Sequence, residues 1–397
     1  MSILLSDAGL HQQMLPLTFT RPVGALRPGV LTLAEAWSRL TELPVGFRTE
    51  PYLQKKYPPV HGDVVREVHA GLLPLPDLVS AVLNLEPGQV LVKEGRAIAF
   101  CTTGEGKAEA ADWNTPPAFL HRVELAAEVV HIERPWHLFQ HCGRAILNDY
   151  VLLTDGRRSQ SLSALNTVVG DPGLIFLEEG ARVEAATLNT TNGPVWVGRG
   201  AEIMEGAMIR GPFALGEGAQ VKMGAKIYGP TSLGPGCRVG GEVNNSVLLA
   251  NSNKAHDGFL GNSVLGEWCN LGADTNNSNL KNTYGEVKMY GYAEGGMVGT
   301  GAQFCGLVMG DHSKSGINTM FNTGTVVGVC ANIFDAGFPA KHVPGFSWGG
   351  AEGFEEYDLD RALHTAQRVM ERRNEPLTEV DRAILMHVYR VEQGLRG

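Results

Sequence analysis

Eight aliphatic side chains stand six residues apart without a gap: Val197, Ile203, Ile209, Leu215, Val221, Ile227, Leu233 and Val239. Neither the helical repeat of about 3.6 residues nor the two-residue alternation of a half-buried strand produces that spacing. Between the aliphatics run small and turn-forming residues, as in VGRGAE, LGEGAQ, VKMGAK and LGPGCR, so each unit reads as a short strand followed by a glycine-assisted corner. Such units mark a parallel β-helix, in which three of them close one triangular coil and each coil covers the core of its neighbour. The corners account for the high glycine content, 50 in 397 residues.

A second run keeps the period through Met309, Ser315, Phe321, Val327 and Ile333. Between the two runs the register breaks across GGEVNNSVLLANSNKAHDGF and resumes one residue short, with Leu260 and Leu265 five apart before Leu271. A break inside a strict solenoid is either a tolerated loop or a place where side chains are aimed at a ligand. His256 lies in it, as a turn residue or as a base.

The six-residue pattern resembles the left-handed β-helix of hexapeptide-repeat acyltransferases; the hand comes from that resemblance, since the period carries none. The break itself resembles the active-site coil of glucosamine-1-phosphate N-acetyltransferases, the C-terminal half of bifunctional UDP-N-acetylglucosamine pyrophosphorylases. The matching residues are Lys254, Ala255, His256, Phe259, Leu260 and Gly261, then Asn270-Leu271-Gly272-Ala273-Asp274-Thr275 and Asn279. The chain departs from that pattern by one residue missing between Ala255 and His256, by Phe259 and Leu280 in place of tyrosines, and by Asp274 in place of a glycine. With FCGLVMGDHSKSGINTMFNTGTVVG and LPLTFTRPVGALRPGVLTLAEAW, the chain is similar over nearly its whole length to an alternative branch of these bifunctional enzymes.

The resemblance implies acetyl transfer from acetyl-CoA to the 2-amine of glucosamine 1-phosphate, coupled to uridylyl transfer from UTP, in a homotrimer. A largely protonated amine must lose a proton before it attacks a thioester, and histidine suits that task. His256 is the implied base and Asn279 its orienting partner, with backbone N–H groups of Asn270 to Ala273 as oxyanion donors. Acetyl-CoA is implied along small residues, Ala273, Thr300 and Ser313, for the last two of which ordinary corner packing is an equal reading. The sugar phosphate calls for cations, and Lys222, Lys226, Lys254, Lys281 and Lys288 are on hand, some of them ordinary surface lysines. Lys254 and Lys281 are implied beside the histidine, with Phe259 and Asn270; Lys222, Lys226 and Tyr228 are implied as lining from an adjacent coil.

Residues 1–160 lack the period and mix strand-like and helix-like segments, among them SILLSD, a helix from Thr32 to Leu43, and GQVLVKEGRAIAF, which fits an α/β domain. Sugar nucleotidyltransferases open with a glycine-rich phosphate loop, whereas this chain has LLSDAGLHQQMLPLTFTRP. Two readings stand: an altered uridylyltransferase site, with Arg21 and Arg27 on the phosphates and Mg2+ as cofactor, or a domain kept for assembly. A nucleotidyltransferase that uses the β-helix only to assemble is the alternative function, and a non-enzymatic scaffold a third. Asp63 reads as a surface turn, and His131, His137, His141 and Cys142 fit no standard zinc spacing. The β-helix is placed at 161–345, and two amphipathic helices at 346–397, the second opened by Thr378 and Asp381, cover an open end of it or a neighbouring subunit.

A net charge of -9 without long basic runs speaks against nucleic-acid binding. Six scattered cysteines without a CxxC pair suit a reducing cytoplasm, and no stretch is long and apolar enough to read as a membrane span.

Overall fold

A computed structural model describes residues 1–103, 113–114 and 120–396. The chain divides into two compact units: Met1–Met14, Arg21–Leu26 and Leu31–Glu133 make the first, and Leu15–Thr20, Arg27–Val30 and Arg134–Gly397 the second.

The first unit is built on a six-stranded mixed sheet. SILLS forms β1 (Ser2–Ser6), every residue of which is buried, between two parallel neighbours, β2 (Val45–Arg48) and β3 (Val64–His69). β5 (Arg96–Thr103) runs antiparallel to β3 and to β4 (Gln89–Lys93), and β6 (His121–Glu124) lies parallel to β4 at the edge. A short helix, α1 (Leu10–Gln13), follows β1, and α2 (Leu33–Thr41) opens on the reciprocal Thr32–Glu35 capping box and buries Leu33, Ala36 and Trp37. α3 (Pro76–Leu83) starts on proline, which is pre-set for a first turn, and the buried Arg66 of β3 holds its far end through the carbonyls of Val82, Leu83 and Leu85.

The second unit is a parallel β-solenoid of three sheets, with six, nine and ten strands. All eight aliphatics of the first run are buried in one continuous stack, as are Met309, Phe321, Val327 and Ile333. Burying one such side chain is worth about 1.5–3 kcal/mol, so the stack is the main source of cohesion. A helix, α4 (His137–Thr154), precedes the coils, and Ser159, Gln160 and Asn166 satisfy backbone groups of the first ones.

The break in the six-residue period does not interrupt the strands. Three short corners absorb it: Val239 to Val243 in four residues, and Val243 to Leu248 and Leu260 to Leu265 in five, while Val243 pairs with Leu260 and Leu248 with Leu265. Asn245 and Asn262 take left-handed backbone at the two five-residue corners, a conformation asparagine tolerates better than most residues. The real departure is residues 280–304, an excursion between the coil strands Asn276–Asn277 and Leu307–Met309 that carries an antiparallel hairpin, Lys288–Gly291 with Gly296–Gly299. Tyr290 of the hairpin stacks on His342 at 3.6 Å, and burial pushes that histidine down to about 4.

α5 (Leu359–Glu371) and α6 (Glu379–Arg396) follow the coils, with Thr378 and Asp381 exchanging bonds at the start of α6. Arg373, just after α5, donates to the Gly236 carbonyl and the Asn253 side chain on middle coils, whereas α6 meets the last coils, with Tyr389 against Phe346 and Glu392 accepting from Tyr292 at 3.1 Å. Among the described residues no helix is long and apolar enough to cross a membrane, and the six cysteines are buried and unbridged.

Candidate functional sites

In the first unit an open cleft of about 580 Å³ lies where the parallel strands end. Carboxyl ends of parallel strands are where α/β folds place ligands, because the following loops are free to diverge there. Ser6, Asp7, Gly9, His11, Arg48 and Glu67 all line it. The turn after β1 puts Ala8 and Gly9 in left-handed backbone, and Asp7 locks it by accepting from Val23 N at 2.9 Å and from Thr49 Oγ1 at 2.5 Å. His11 Nδ1 stands 3.5 Å from Asp7 Oδ2, and its Nε2 lies 3.2 Å from the Tyr52 hydroxyl. Burial pushes the Tyr52 phenol up, with Glu50 and Asp7 adding to the effect. Arg48 meets Glu67 at 3.2 Å; burial raises the Glu67 carboxyl, and Arg48 and Ser6 oppose the rise.

Beside the cleft, His69 ends β3 with the edge of Trp113 against its ring, and burial holds it down at about 4. His131 and Arg96 both bond Glu133, holding that carboxyl near 2. Among the described residues no three metal-ligating side chains come together.

The two arginines assigned to the phosphates are not part of this cleft. Arg21 is buried, and Arg27, in the second unit, donates to the Val30 carbonyl. Leu15–Thr20, from the stretch that stands in place of the phosphate loop, belongs to the solenoid unit, where Thr20 donates to Asp311 at 2.7 Å and Phe19 packs on Tyr292. The cleft residues escape a reading of the sequence because they come from three strand ends far apart along the chain. The one local signal is Ser6-Asp7-Ala8-Gly9 directly after an unbroken apolar strand.

In the solenoid unit His256 sits exposed on a tight corner between the ten-stranded and six-stranded sheets. A Cβ on Gly240 would collide with the Ala255 carbonyl, and one on Gly258 with that of Thr275, so the corner is clasped by the coils before and after it. Asn279 donates to Asn262 Oδ1 at 2.8 Å rather than to His256. Phe259 and Asn279 both crowd Gly261, where a Cβ would lie 2.5 and 2.7 Å from them. Asn270 is exposed, and its side chain meets that of Asn253 at 3.5 Å.

Lys254 is not a surface cation. Its register partner is Val239, it is 2% exposed, and it occupies a core position in the column of Val221 and Val239. Its Nζ reaches along the corner to the His256 carbonyl at 2.5 Å, and burial lowers the ammonium to about 8 against the pull of Asp257 and Asp274. Lys281 bonds the Glu286 carbonyl, and Lys288 is exposed on the hairpin. Lys226 and Tyr228 line a shallow groove of about 460 Å³ on the six-stranded sheet. There the Tyr228 hydroxyl donates to Glu242 at 2.5 Å, and burial with that carboxylate raises it to about 12. Lys222 bonds Gln220 at 2.8 Å.

Of the residues assigned to acetyl-CoA, Ser313 is fully buried, donating to the Gly328 carbonyl and accepting from Ala331 N, so its side chain cannot line an outer groove. Thr300 is buried at the foot of the hairpin on the Val287 carbonyl. Ser313 is packed in a corner of the coils, whereas Thr300 lies outside them, in the 280–304 excursion. Ala273 is half-buried, and its carbonyl accepts from Asn318 N. Asn270 N and Gly272 N are spent in the ladder, on the carbonyls of Ser313 and Ser315, and are not oxyanion donors.

Residues 2–158 match the sugar nucleotidyl transferase family. No curated protein matches the chain. Among solved structures, an Arabidopsis UDP-N-acetylglucosamine acyltransferase matches with 13% identity over 54% of this chain and 80% of that one, at a TM-score of 0.30. A likeness that loose carries no weight for this chain. The family match covers the first sheet, its cleft and α4.

Proposed function

We propose that the first unit transfers a nucleotidyl group to a sugar 1-phosphate and that the solenoid carries an acetyl transfer to an amino-sugar phosphate. The observation that carries the reading is the open cleft at the carboxyl ends of β1, β2 and β3, inside the region similar to sugar nucleotidyl transferases. In such a reaction the phosphate oxygen of the sugar attacks the α-phosphorus of UTP, and pyrophosphate leaves with the electron pair of the broken P–O bond. Arg48, aimed by Glu67, and His11, backed by Asp7, are the cleft's groups for the phosphates.

A magnesium ion suits this cleft only as a partner of the triphosphate, since Mg2+ keeps most of its waters and takes one or two carboxylates. Asp7 is occupied by Val23 and Thr49, and Glu67 by Arg48, which leaves Glu50 among the carboxylates lining the cleft. The ion would supply charge neutralisation at the phosphates.

For the acetyl transfer, His256 is the base that takes the amine proton as nitrogen attacks the thioester carbon and the coenzyme A thiolate departs. Its exposure on a clasped corner supports this reading. The reading includes UTP and glucosamine 1-phosphate as substrates, acetyl-CoA as donor, a homotrimer and a cytosolic setting.

Two assays test it separately. Pyrophosphate release from UTP, N-acetylglucosamine 1-phosphate and Mg2+ is expected from the wild type and is expected to fall at least about 100-fold in Arg48→Ala; no release by the wild type retires the first half. Thiol release from acetyl-CoA with glucosamine 1-phosphate is expected to fall about 100-fold or more in His256→Ala. Equal rates in the two proteins would remove His256 as base.

A further inference from the structure

We propose that Lys222, Arg238 and Arg373 form a binding site for a phosphoryl group on the outer face of the ten-stranded sheet. Register places the three together. Gln220, Arg238 and Asn253 are Cα partners on three successive strands, about 4.8 Å apart, with side chains on the outer face. Lys222 lays its ammonium on Gln220 at 2.8 Å, on one side of Arg238. Arg373 arrives from the segment after α5 and lays its guanidinium on Asn253 at 3.0 Å, on the other side. Arg238 is thus flanked by two cations, and all three are half-buried.

The carboxylate that would answer this charge is already committed. Glu202, one strand before Gln220, is held by Arg182 at 3.0 Å and by Gln220 at 3.1 Å. Among the described residues no carboxylate forms an ion pair with Lys222, Arg238 or Arg373. Burial lowers the Lys222 ammonium, and Arg238 and Arg373 lower it further against a partial opposing pull from Glu202; burial and then Arg238 act in the same direction on Arg373. Like charges held this close raise one another's energy until an anion joins them. A phosphomonoester or diphosphate, with several oxygens for several donors, fits that demand better than a single carboxylate does.

The patch also has an address. The Lys222 Cβ and the Ala255 carbonyl both lie against Gly240, so the cations sit one corner away from His256. A phosphate there has two sources, the 3′-phosphate end of coenzyme A or a sugar 1-phosphate, and the chemistry is shared. The proposal concerns binding and goes beyond the acetyl-transfer reading: a protein that binds coenzyme A through these cations yet transfers no acetyl group retires that reading and keeps this one.

The experiment is calorimetric titration of the full chain, wild type and Arg238→Gln, with coenzyme A, 3′-dephospho-coenzyme A and glucosamine 1-phosphate, each at low and at physiological ionic strength. The Arg238 guanidinium makes no hydrogen bond to the described residues, so the substitution leaves the strands intact, and a thermal melt checks this. The expected result is an affinity loss of about tenfold in Arg238→Gln for at least one probe, with a weaker salt dependence than in the wild type. A loss for coenzyme A but not for the dephospho form assigns the 3′-phosphate, and a loss for glucosamine 1-phosphate assigns the sugar. Wild-type binding to none of the probes, or affinities within about twofold of wild type for all of them, overturns the proposal.

Discussion

Two stretches of the same solenoid column hold opposite chemistry. In the coils that keep the six-residue spacing, the column runs Ile203, Val221, Val239, each buried. In the coils with short corners the next place belongs to Lys254, equally buried and in the same register. The contrast separates two requirements that the strict coils satisfy together. Strand pairing holds the register, and an apolar side chain is only one way to fill the column. An ammonium fills it where a carbonyl turns inward to receive the charge, as that of His256 does. The corners differ too: Gly224, in a strict coil, has open space where a Cβ would be, whereas Gly241, in the short corner, has the His256 carbonyl and the Asp257 Cα at 2.8 Å.

Placing a lysine in the strict column should have the largest effect. Val221→Lys is expected to cost at least about 3 kcal/mol, since it loses apolar burial and buries a charge whose surroundings are not arranged for it. Urea denaturation followed by circular dichroism measures this, and near-neutral behaviour would mean that the column accepts an ammonium anywhere. Next come the corner glycines. Gly241→Ala is expected to cost about 2 kcal/mol, from left-handed strain and the clash, against about 1 kcal/mol of strain alone for Gly224→Ala; equal costs would erase the difference between the corners.

Lys254→Met is expected to raise the melting temperature at pH 7. The folded ammonium loses its proton near 8 rather than at its ordinary 10.5. Between those values the unfolded chain binds more protons than the folded one, so the wild type gains stability as pH rises through the window. The advantage of the methionine variant should therefore shrink from pH 8 towards 10.5, and a lower melting temperature for the variant at every pH would show that the bond to His256 outweighs the buried charge. The smallest effect is expected for Asp274→Gly. It relieves a backbone φ of +55° but removes a carboxylate that supports the Lys254 charge, and the net change should stay within about 1 kcal/mol.

The solenoid is legible in the sequence because one side chain in six must fill the same column, and only stacked coils ask for that eight times running. The corners between Val239 and Leu271 are not, since steps of four and five residues look like lost register when only spacing is available. Lys254 reads as a surface cation because nothing in the composition of a six-residue unit announces a carbonyl turned inward two residues later. In the first unit the strand at Ser2–Ser6 and the helix after Thr32 stand where the pattern puts them. Its cleft is invisible in the sequence, because Asp7, Arg48 and Glu67 meet only once β1, β2 and β3 are side by side. The pairing of Asn279 with Asn262 instead of His256 belongs to the same class: it depends on which coil lies beneath which.

The boundary between the two units is not a single point in the chain. Leu15–Thr20 and Arg27–Val30 belong to the solenoid unit, although the first unit claims the residues before, between and after them. The bond from Thr20 to Asp311 joins residues 291 positions apart. During synthesis these two segments emerge long before the coils that will hold them, so a ribosome that has released residue 133 has not yet supplied what completes them. A gene cut at that point would separate the codons without separating the units: each fragment would lack or carry chain that belongs to the other, and the two are expected to need co-expression to be recovered in soluble form.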